Sequence, residues 1–277
     1  MIKLQHALLC AGLLTTHSVC IANPADAAKE QEPSVLNSAG FTVASWNAEH
    51  LATQPSSGCR PRTSQEIEAM KVYATSIDAD VIGLQEVDSG SLRTGFLDMT
   101  EYLARQSGHS YWYRQVNRDI GMLAQNSNGL ISRIQPSQVS NHRLPPGNGR
   151  GAMLMEFGTG RNALRICSMH LALSRRQRQR QLDFISELTR DSANLIVMGD
   201  LNAGCDSREV RGFIESNALS SPACSQPTFP SWAPIRRIDH ILVSNNLQVE
   251  NAEVVDYPLS DHLPISIDVI VPDGLYD

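Results

Sequence analysis

Polar residues adjoin short apolar runs at six places in this chain. Asn47 and Glu49 follow Trp46, Glu86 follows Leu84-Gln85, and His170 follows Met169. Asp200-Leu201-Asn202 follows Val197-Met198-Gly199, Asp239-His240 follows Ile238, and Asp261-His262 precedes a last apolar run. Strand ends are rigid platforms, so groups set there can converge with little reorganisation. One such cluster would read as a solvated loop rim; six in one chain do not. The inventory is oxygen-rich. Glu86, Glu49, Asp200 and Asp261 with Asn47 and Asn202 are hard ligands, suited to Mg²⁺, Mn²⁺ or Ca²⁺ rather than zinc. No His-Glu-x-x-His motif or cysteine cage competes. His170 and His262 can contact phosphate oxygens or move protons. Asp200 and Asn202 are two apart, so on an extended backbone both would point the same way and could hold one water between them.

These groups need elements to hold them. Phe41 to Trp46 reads as a strand rich in β-branched and aromatic residues. Further strands are expected at 80–85, 164–169, 195–198, 238–243 and 265–271, with a run of short strands through 109–169. Turn signals lie at Asn126-Ser127-Asn128-Gly129 and from Pro145 to Gly149. Helices are expected after the capping box Thr63-Ser64-Gln65-Glu66, over Phe96 to Ser107 with Gly108 as the stop, after Ser174-x-x-Gln177, and after Asp206-x-x-Glu209. Strands outnumber helices and no regular βαβ repeat occurs, so the fold class is α+β with sheet packed on sheet. No internal repeat or second domain is visible.

Taken in order, seven stretches resemble the endonuclease/exonuclease/phosphatase superfamily of Mg²⁺-dependent phosphoesterases. They are Ser45-Trp46-Asn47-Ala48-Glu49, Leu84-Gln85-Glu86-Val87, Asn128-Gly129-Leu130-Ile131-Ser132-Arg133, Met169-His170-Leu171, Gly199-Asp200-Leu201-Asn202-Ala203, Arg237-Ile238-Asp239-His240-Ile241 and Ser260-Asp261-His262-Leu263-Pro264. The resemblance implies a four-layer α/β/β/α sandwich, two packed mixed sheets flanked by helices, over a catalytic domain at 39–272. It implies that Glu86 is the principal Mg²⁺ ligand, with Asn47 and Glu49 beside it and Asp261 supporting a metal position. Asp200 and Asn202 would orient the attacking water. Asp239 would orient His262, a general base or phosphate contact, and His170 would touch the phosphate and assist the leaving group. A divalent ion and imidazolium groups would offset the charge that builds up in the transition state. Some secreted deoxyribonucleases of the superfamily pair the first catalytic His with a mid-chain Glu. No such Glu is located here, which leaves His170 to a backbone carbonyl or another residue.

The first residues carry Lys3, a short apolar run from Ala7 to Leu14, and small-x-small sites at Ala25-Asp26-Ala27 and Cys20-Ile21-Ala22. This describes a secretory signal peptide over 1–27, followed by a polar linker at 28–38. The product would be secreted or periplasmic. The apolar run is too short to span a bilayer and no other stretch is long enough, so no transmembrane segment is expected. Cys59, Cys167, Cys205 and Cys224 would remain, in a compartment that permits disulfides. Cys205 and Cys224 bracket 18 residues, and closing that loop would stabilise by roughly 3 kcal/mol in the chain-entropy model. The position of Cys205 after Asn202 resembles the bridging cysteine of pancreatic-type deoxyribonucleases. Cys59 and Cys167 could pair or stay free.

The formal net charge is −6, which gives no global steering toward polyanions, although a local basic rim would suffice. The dense basic run Arg175 to Gln181 reads either as a backbone grip for nucleic acid or, more commonly, as the solvated face of a helix. Arg93, Asn128 and Arg150 are candidate substrate contacts, each arginine weighed equally against a structural ion pair. Trp232 reads equally as a stacking residue or a core tryptophan; His109 and His142 read as surface residues and His240 as structural. Segments 50–62, 88–95 and 220–236 are expected to set specificity, the last as a lip over the site. The substrate is a phosphodiester in nucleic acid or a phospholipid headgroup, and nothing calls for an obligate protein partner. A nuclease is the first reading. A sphingomyelinase-like or inositol-phosphate phosphoesterase is the second, since Val87 to Thr94 resembles a branch of extracytoplasmic hydrolases compared with sphingomyelinases. A non-catalytic effector on the same fold is the minor third.

Overall fold

The structure is a computed structural model that describes residues 40–48, 68–69, 72, 75–147 and 149–271. The expected leader, the linker, Glu49, Cys59 and the capping box at Thr63 lie outside the described residues.

Two six-stranded sheets carry the fold. The first is built from β1 (Phe41–Asn47), β2 (Val81–Val87), β3 (Tyr111–Asp119), β4 (Gln125–Ser132), β11 (Gln248–Val254) and β12 (Ile265–Ile270), in the order β11-β12-β1-β2-β4-β3. The second is built from β5 (Gln138–Arg143), β6 (Gly151–Phe157), β7 (Leu164–His170), β8 (Asn194–Asp200), β9 (Leu219–Ser220) and β10 (Asp239–Ser244), in the order β5-β6-β7-β8-β10-β9. Each sheet has one parallel pair, β1 with β2 and β7 with β8, among antiparallel neighbours. Three helices of the described residues flank them: α1 (Met99–Gln106), α2 (Arg175–Leu188) and α3 (Arg208–Ser216).

The period-2 alternation of the central strands explains the layering. Phe41 and Val43 point between the sheets, while Ala44 and Trp46 point outward under α1 with Met99, Leu103 and Ala104. In β8, Ile196 and Met198 point inward; Leu195 and Val197 point outward to Leu182, Ile185, Val210 and Phe213 of α2 and α3. Both faces are therefore buried, which is why these strands read as near-continuous apolar runs. Three apolar layers separate four layers of structure, the expected sandwich. The sheets approach closely at Gly83, where a Cβ would lie 2.6 Å from Met198 Cε and 2.8 Å from Ser168 Oγ.

Some local expectations give way. Asn126 to Gly129 is not a turn but lies inside β4, and the chain reverses at 120–124 instead. Tertiary contacts override the turn signal: Asn128 Nδ2 donates to Gly151 O across the sheets at 2.9 Å, and Gly129 leaves room for Thr100. The helix expected from Phe96 starts at Met99. Asp98 caps it by accepting from the Thr100 and Glu101 amides, while Phe96 takes a left-handed φ of 66°. His109 is not a surface residue; it is buried with both ring nitrogens engaged. Cys205 and Cys224 are bridged across Cα atoms 6.0 Å apart. Cys167 is a free thiol in the core, pushed up to about 12 by burial.

Candidate active site

One end of the sandwich gathers the residues singled out by type. Across the second sheet, strand pairing sets His170, Asp200 and Asp239 side by side, as register partners of β7, β8 and β10. Register partners on neighbouring strands share a face, so the three side chains point together toward the other sheet. From the first sheet come Asn47 at the end of β1 and Glu86 near the end of β2. Asn47 Nδ2 donates to Asp200 Oδ2 at 3.0 Å and so joins the two sheets over the site. Ser260 Oγ donates to Asn47 O at 2.7 Å and Trp46 Nε1 to His262 O at 3.3 Å, which fixes the segment carrying Asp261 and His262.

Backbone geometry is unusual where the chemistry sits. Glu86 and Asn202 adopt left-handed φ values of 54° and 52°, a region that non-glycine residues enter at a cost. The β2–β4 register shifts between Leu84 and Val87, a bulge that re-aims Glu86 toward the cleft. Gly199 has φ 137°, and a Cβ there would lie 1.8 Å from Met169 O; only glycine lets β7 and β8 close beside His170 and Asp200. The left-handed turn also corrects one expectation. Asp200 and Asn202 do not lie on one extended backbone. Asn202 N donates to Asp200 Oδ1 at 2.8 Å, and its side-chain amide donates to Leu171 O at 2.9 Å.

The histidines are held differently. His262 Nδ1 lies 2.8 Å from Asp239 Oδ2, which also accepts from Thr228 Oγ1. Its Nε2 is 3.8 Å from Asp261 Oδ1 and 4.0 Å from Asp200 Oδ2. The Phe229 ring lies 4.8 Å from its ring. Burial alone would lower the His262 pKa, but the charge and hydrogen bond of Asp239, with Asp200 and Asp261, outweigh it and raise it to about 10. His170 Nε2 sits 3.5 Å from Asp200 Oδ2 and 3.6 Å from Glu86 Oε1. Arg150 Nη1 contacts the same Nε2. Arg150, Asp200 and Glu86 all face this one nitrogen of His170.

The site is rich in confined negative charge. Burial raises the Glu86 carboxyl above its ordinary range and Asp261 adds to this, against Arg150 and His262. Burial also raises Asp200, and the neighbouring Asp239 adds to it. Asp239 Oδ1 is buried with no hydrogen-bond partner among the described residues. Donor atoms of Asp200, Asp239 and His262 lie within 4.8 Å of one another, close enough to hold a metal ion. His262 Nδ1, however, is already engaged by Asp239. The carboxylates are the hard donors a divalent cation selects.

Not every candidate reaches the cleft. Arg93 is committed to Asp88, by Nη2 at 3.0 Å and Nε at 3.2 Å, and also contacts Gln125 O, so it has the structural ion pair that was its alternative. Asp88 also accepts from Gly90 N, Ser91 N, Ser91 Oγ, Thr94 Oγ1 and Gln125 N. It anchors the loop after Glu86, a role that its Asp-Ser-Gly turn chemistry could have revealed. Asn128 ties β4 to the start of β6, next to Arg150. His240 donates to Ala203 O at 2.8 Å, a structural role as expected. Trp232 is exposed, which removes the core alternative. Thr228 and Phe229, which support Asp239 and His262, carried no sequence signal.

A family model described as the endonuclease/exonuclease/phosphatase family matches residues 44–262. No curated protein matches the chain in sequence. Among solved structures, an endonuclease/exonuclease/phosphatase family protein from Bacteroides thetaiotaomicron is 16% identical, with a TM-score of 0.65 over 87% of this chain and 100% of the other. A mannosyl-6-phosphatase from the same organism is 16% identical, with a TM-score of 0.63 over 83% and 99%. D. rerio TDP2 complexed with a single-strand DNA product is 15% identical, with a TM-score of 0.61 over 83% and 98%. At these identities the likeness is one of fold.

Proposed function

Because this chain belongs to the endonuclease/exonuclease/phosphatase family, whose members hydrolyse phosphoester bonds, we propose that it is an exported, Mg²⁺-dependent phosphodiesterase. The carrying observation is the convergence of Glu86, Asp200, Asp239 and Asp261 with His170, His262 and Arg150 at one end of the sandwich, under confined negative charge that a divalent cation relieves. Glu86, with Asn47, Glu49 and Asp261, would hold the ion. When bound it polarises the phosphoryl oxygens and neutralises developing charge.

The protein groups divide the remaining work. Asp200, its carboxyl raised by burial, takes the proton of the attacking water, and Asn202 shares in orienting that water through its side-chain oxygen. His262, held as an imidazolium by Asp239, donates to a phosphate oxygen. Arg150 donates to another, and His170 contacts the phosphate beside the leaving group. Fixed donors aimed at developing charge in a confined site are the largest source of rate enhancement in such reactions.

Export is supported by the leader at 1–27, ahead of the linker at 28–38 and the catalytic domain at 39–272, and by the Cys205–Cys224 bridge, since disulfides persist in oxidising compartments. No helix of the described residues is long and apolar enough to cross a membrane. Two substrate readings remain. A nuclease draws on the arginine run and on TDP2, whose complex holds a single-strand DNA product. That run is reduced in the folded chain: Arg178 turns inward onto Glu209 at 2.7 Å, and Arg175 pairs with the same carboxylate at 3.3 Å. A phospholipid-headgroup diester is the other reading. The test is turnover of bis-p-nitrophenyl phosphate by protein starting at Lys29 with disulfides intact. Hydrolysis that needs Mg²⁺, stops with EDTA and is lost in His262→Ala supports the reading; metal-independent turnover overturns it.

A further inference from the structure

We propose that the mouth of the cleft is a docking surface for an anionic lipid bilayer, with two apolar lobes that enter the interface on either side of the site. The inference rests on the phosphodiesterase reading for what happens in the cleft, and on the surface alone for the docking. Ten large hydrophobic residues are exposed among the described residues, and eight of them lie at this one end. Exposed apolar residues scattered singly need no explanation, but a grouping beside a site does.

The first lobe joins the loop after β2 to the β3–β4 reversal. Leu92 N donates to Met122 O at 2.8 Å, and Gln125 N to Asp88 Oδ2 at 3.1 Å, two residues beyond Glu86. On this frame Leu92, Phe96, Ile120, Met122 and Leu123 are exposed, Met122 at 77%. The second lobe is the segment 229–236, closed on itself by the Phe229 and Arg236 backbones and tied to the site by Ser231 N donating to Asp261 O at 2.7 Å. It exposes Trp232 and Ile235, the latter at 79%, and Leu173 stands three residues past His170 at 75%.

Composition selects the occupant. Six of the eight are aliphatic or methionine, without the π-faces on which nucleic-acid bases stack. Such side chains gain by leaving water for acyl chains. Charge agrees. Arg176 follows Leu173 and Arg236 adjoins Ile235, both exposed and without a carboxylate partner among the described residues. Arg118 beside Ile120 is offset by Asp119. A chain of net charge −6 that keeps two exposed arginines, Arg236 against the Phe229 ring, beside its exposed apolar residues fits an anionic headgroup layer. A headgroup diester lies at the depth where a cleft flanked by two inserted lobes would meet it.

The experiment is flotation of the protein from Lys29 with vesicles of phosphatidylcholine alone or mixed equally with phosphatidylglycerol. Binding is expected to favour the anionic vesicles and to weaken with salt. Met122→Ser with Leu123→Ser, and separately Ile120→Ser with Leu173→Ser, should each weaken it about tenfold or more, with bis-p-nitrophenyl phosphate turnover unchanged. Diester turnover without vesicle binding overturns the docking surface and leaves the reaction standing. Vesicle binding without turnover leaves the docking standing and removes the reaction. Binding of a single-stranded oligonucleotide in place of vesicles, lost in Phe96→Ala and Trp232→Ala, overturns it in favour of nucleic acid. A concentration-dependent dimer that the same substitutions abolish overturns it in favour of a second copy.

Discussion

His109 and His262 are both buried in the same sandwich, one at each end. His109 Nε2 meets Ala79 O at 2.9 Å and its Nδ1 meets Ser107 Oγ at 2.7 Å, and the ring is pushed down to about 4 by burial, against the Ala79 hydrogen bond. His262 meets a carboxylate at 2.8 Å and is raised to about 10. Burial acts on both rings in the same direction. The charge of the partner decides the outcome. At the far end both ring nitrogens of His109 meet neutral partners and the histidine is a structural part. At the site end charges are packed against one another, and the histidine is kept in a protonated form that could meet an anion.

The largest losses are expected at the site end. His262→Ala should lower kcat on a soluble diester by about 10³-fold with little loss of melting temperature, and steady-state kinetics beside a thermal melt would show both. Asp239→Asn keeps the shape and removes the charge. We expect kcat to fall about 10²-fold. Burial is then opposed only by Asp200 and Asp261, so His262 in chelator-treated protein should titrate well below about 10 by NMR. A ring that stays high in this variant would show that Asp200 and Asp261 suffice. At the other end, His109→Ala should leave kcat unchanged but destabilise by about 2–3 kcal/mol, read by urea denaturation. The smallest effect is one of pH. Folded His109 stays neutral, while the unfolded chain takes up its proton near pH 6.5. Its contribution is full above pH 6.5 and is lost as pH falls from there toward about 4. His109→Gln should flatten that acid limb by an amount on the order of 2 kcal/mol.

The central strands were legible because burial on both faces writes itself as apolar runs. Strands expected at 41–46, 164–169 and 195–198 appear as Phe41–Asn47, Leu164–His170 and Asn194–Asp200. The edge strand Gln248–Val254 was missed, since its residues are largely exposed and carry no apolar alternation. His109 was misread because nothing local announces that Ala79 and Ser107 close around it. Side chains at strand ends could be named from the sequence, but their partners come from other sheets and loops. The Asn47–Asp200 link spans 153 residues, and the clasp of Thr228 on Asp239 lies in a loop without periodic pattern. Local turn chemistry likewise lost to a distant contact at Asn128.

His170, Asp200 and Asp239 stand in one row across three paired strands. Side chains alternate faces along a strand, so a slip of one residue in any of the three would turn its member away from the other two. Activity would then report correct strand pairing as strictly as any spectroscopic probe, and a misregistered population would be silent rather than weakly active. The segments 88–97, 120–124 and 229–236 leave their strands beyond or beside that row. Their lengths and sequences can diverge while the row stays in place, so the chain can be readdressed to a new surface without relearning its chemistry.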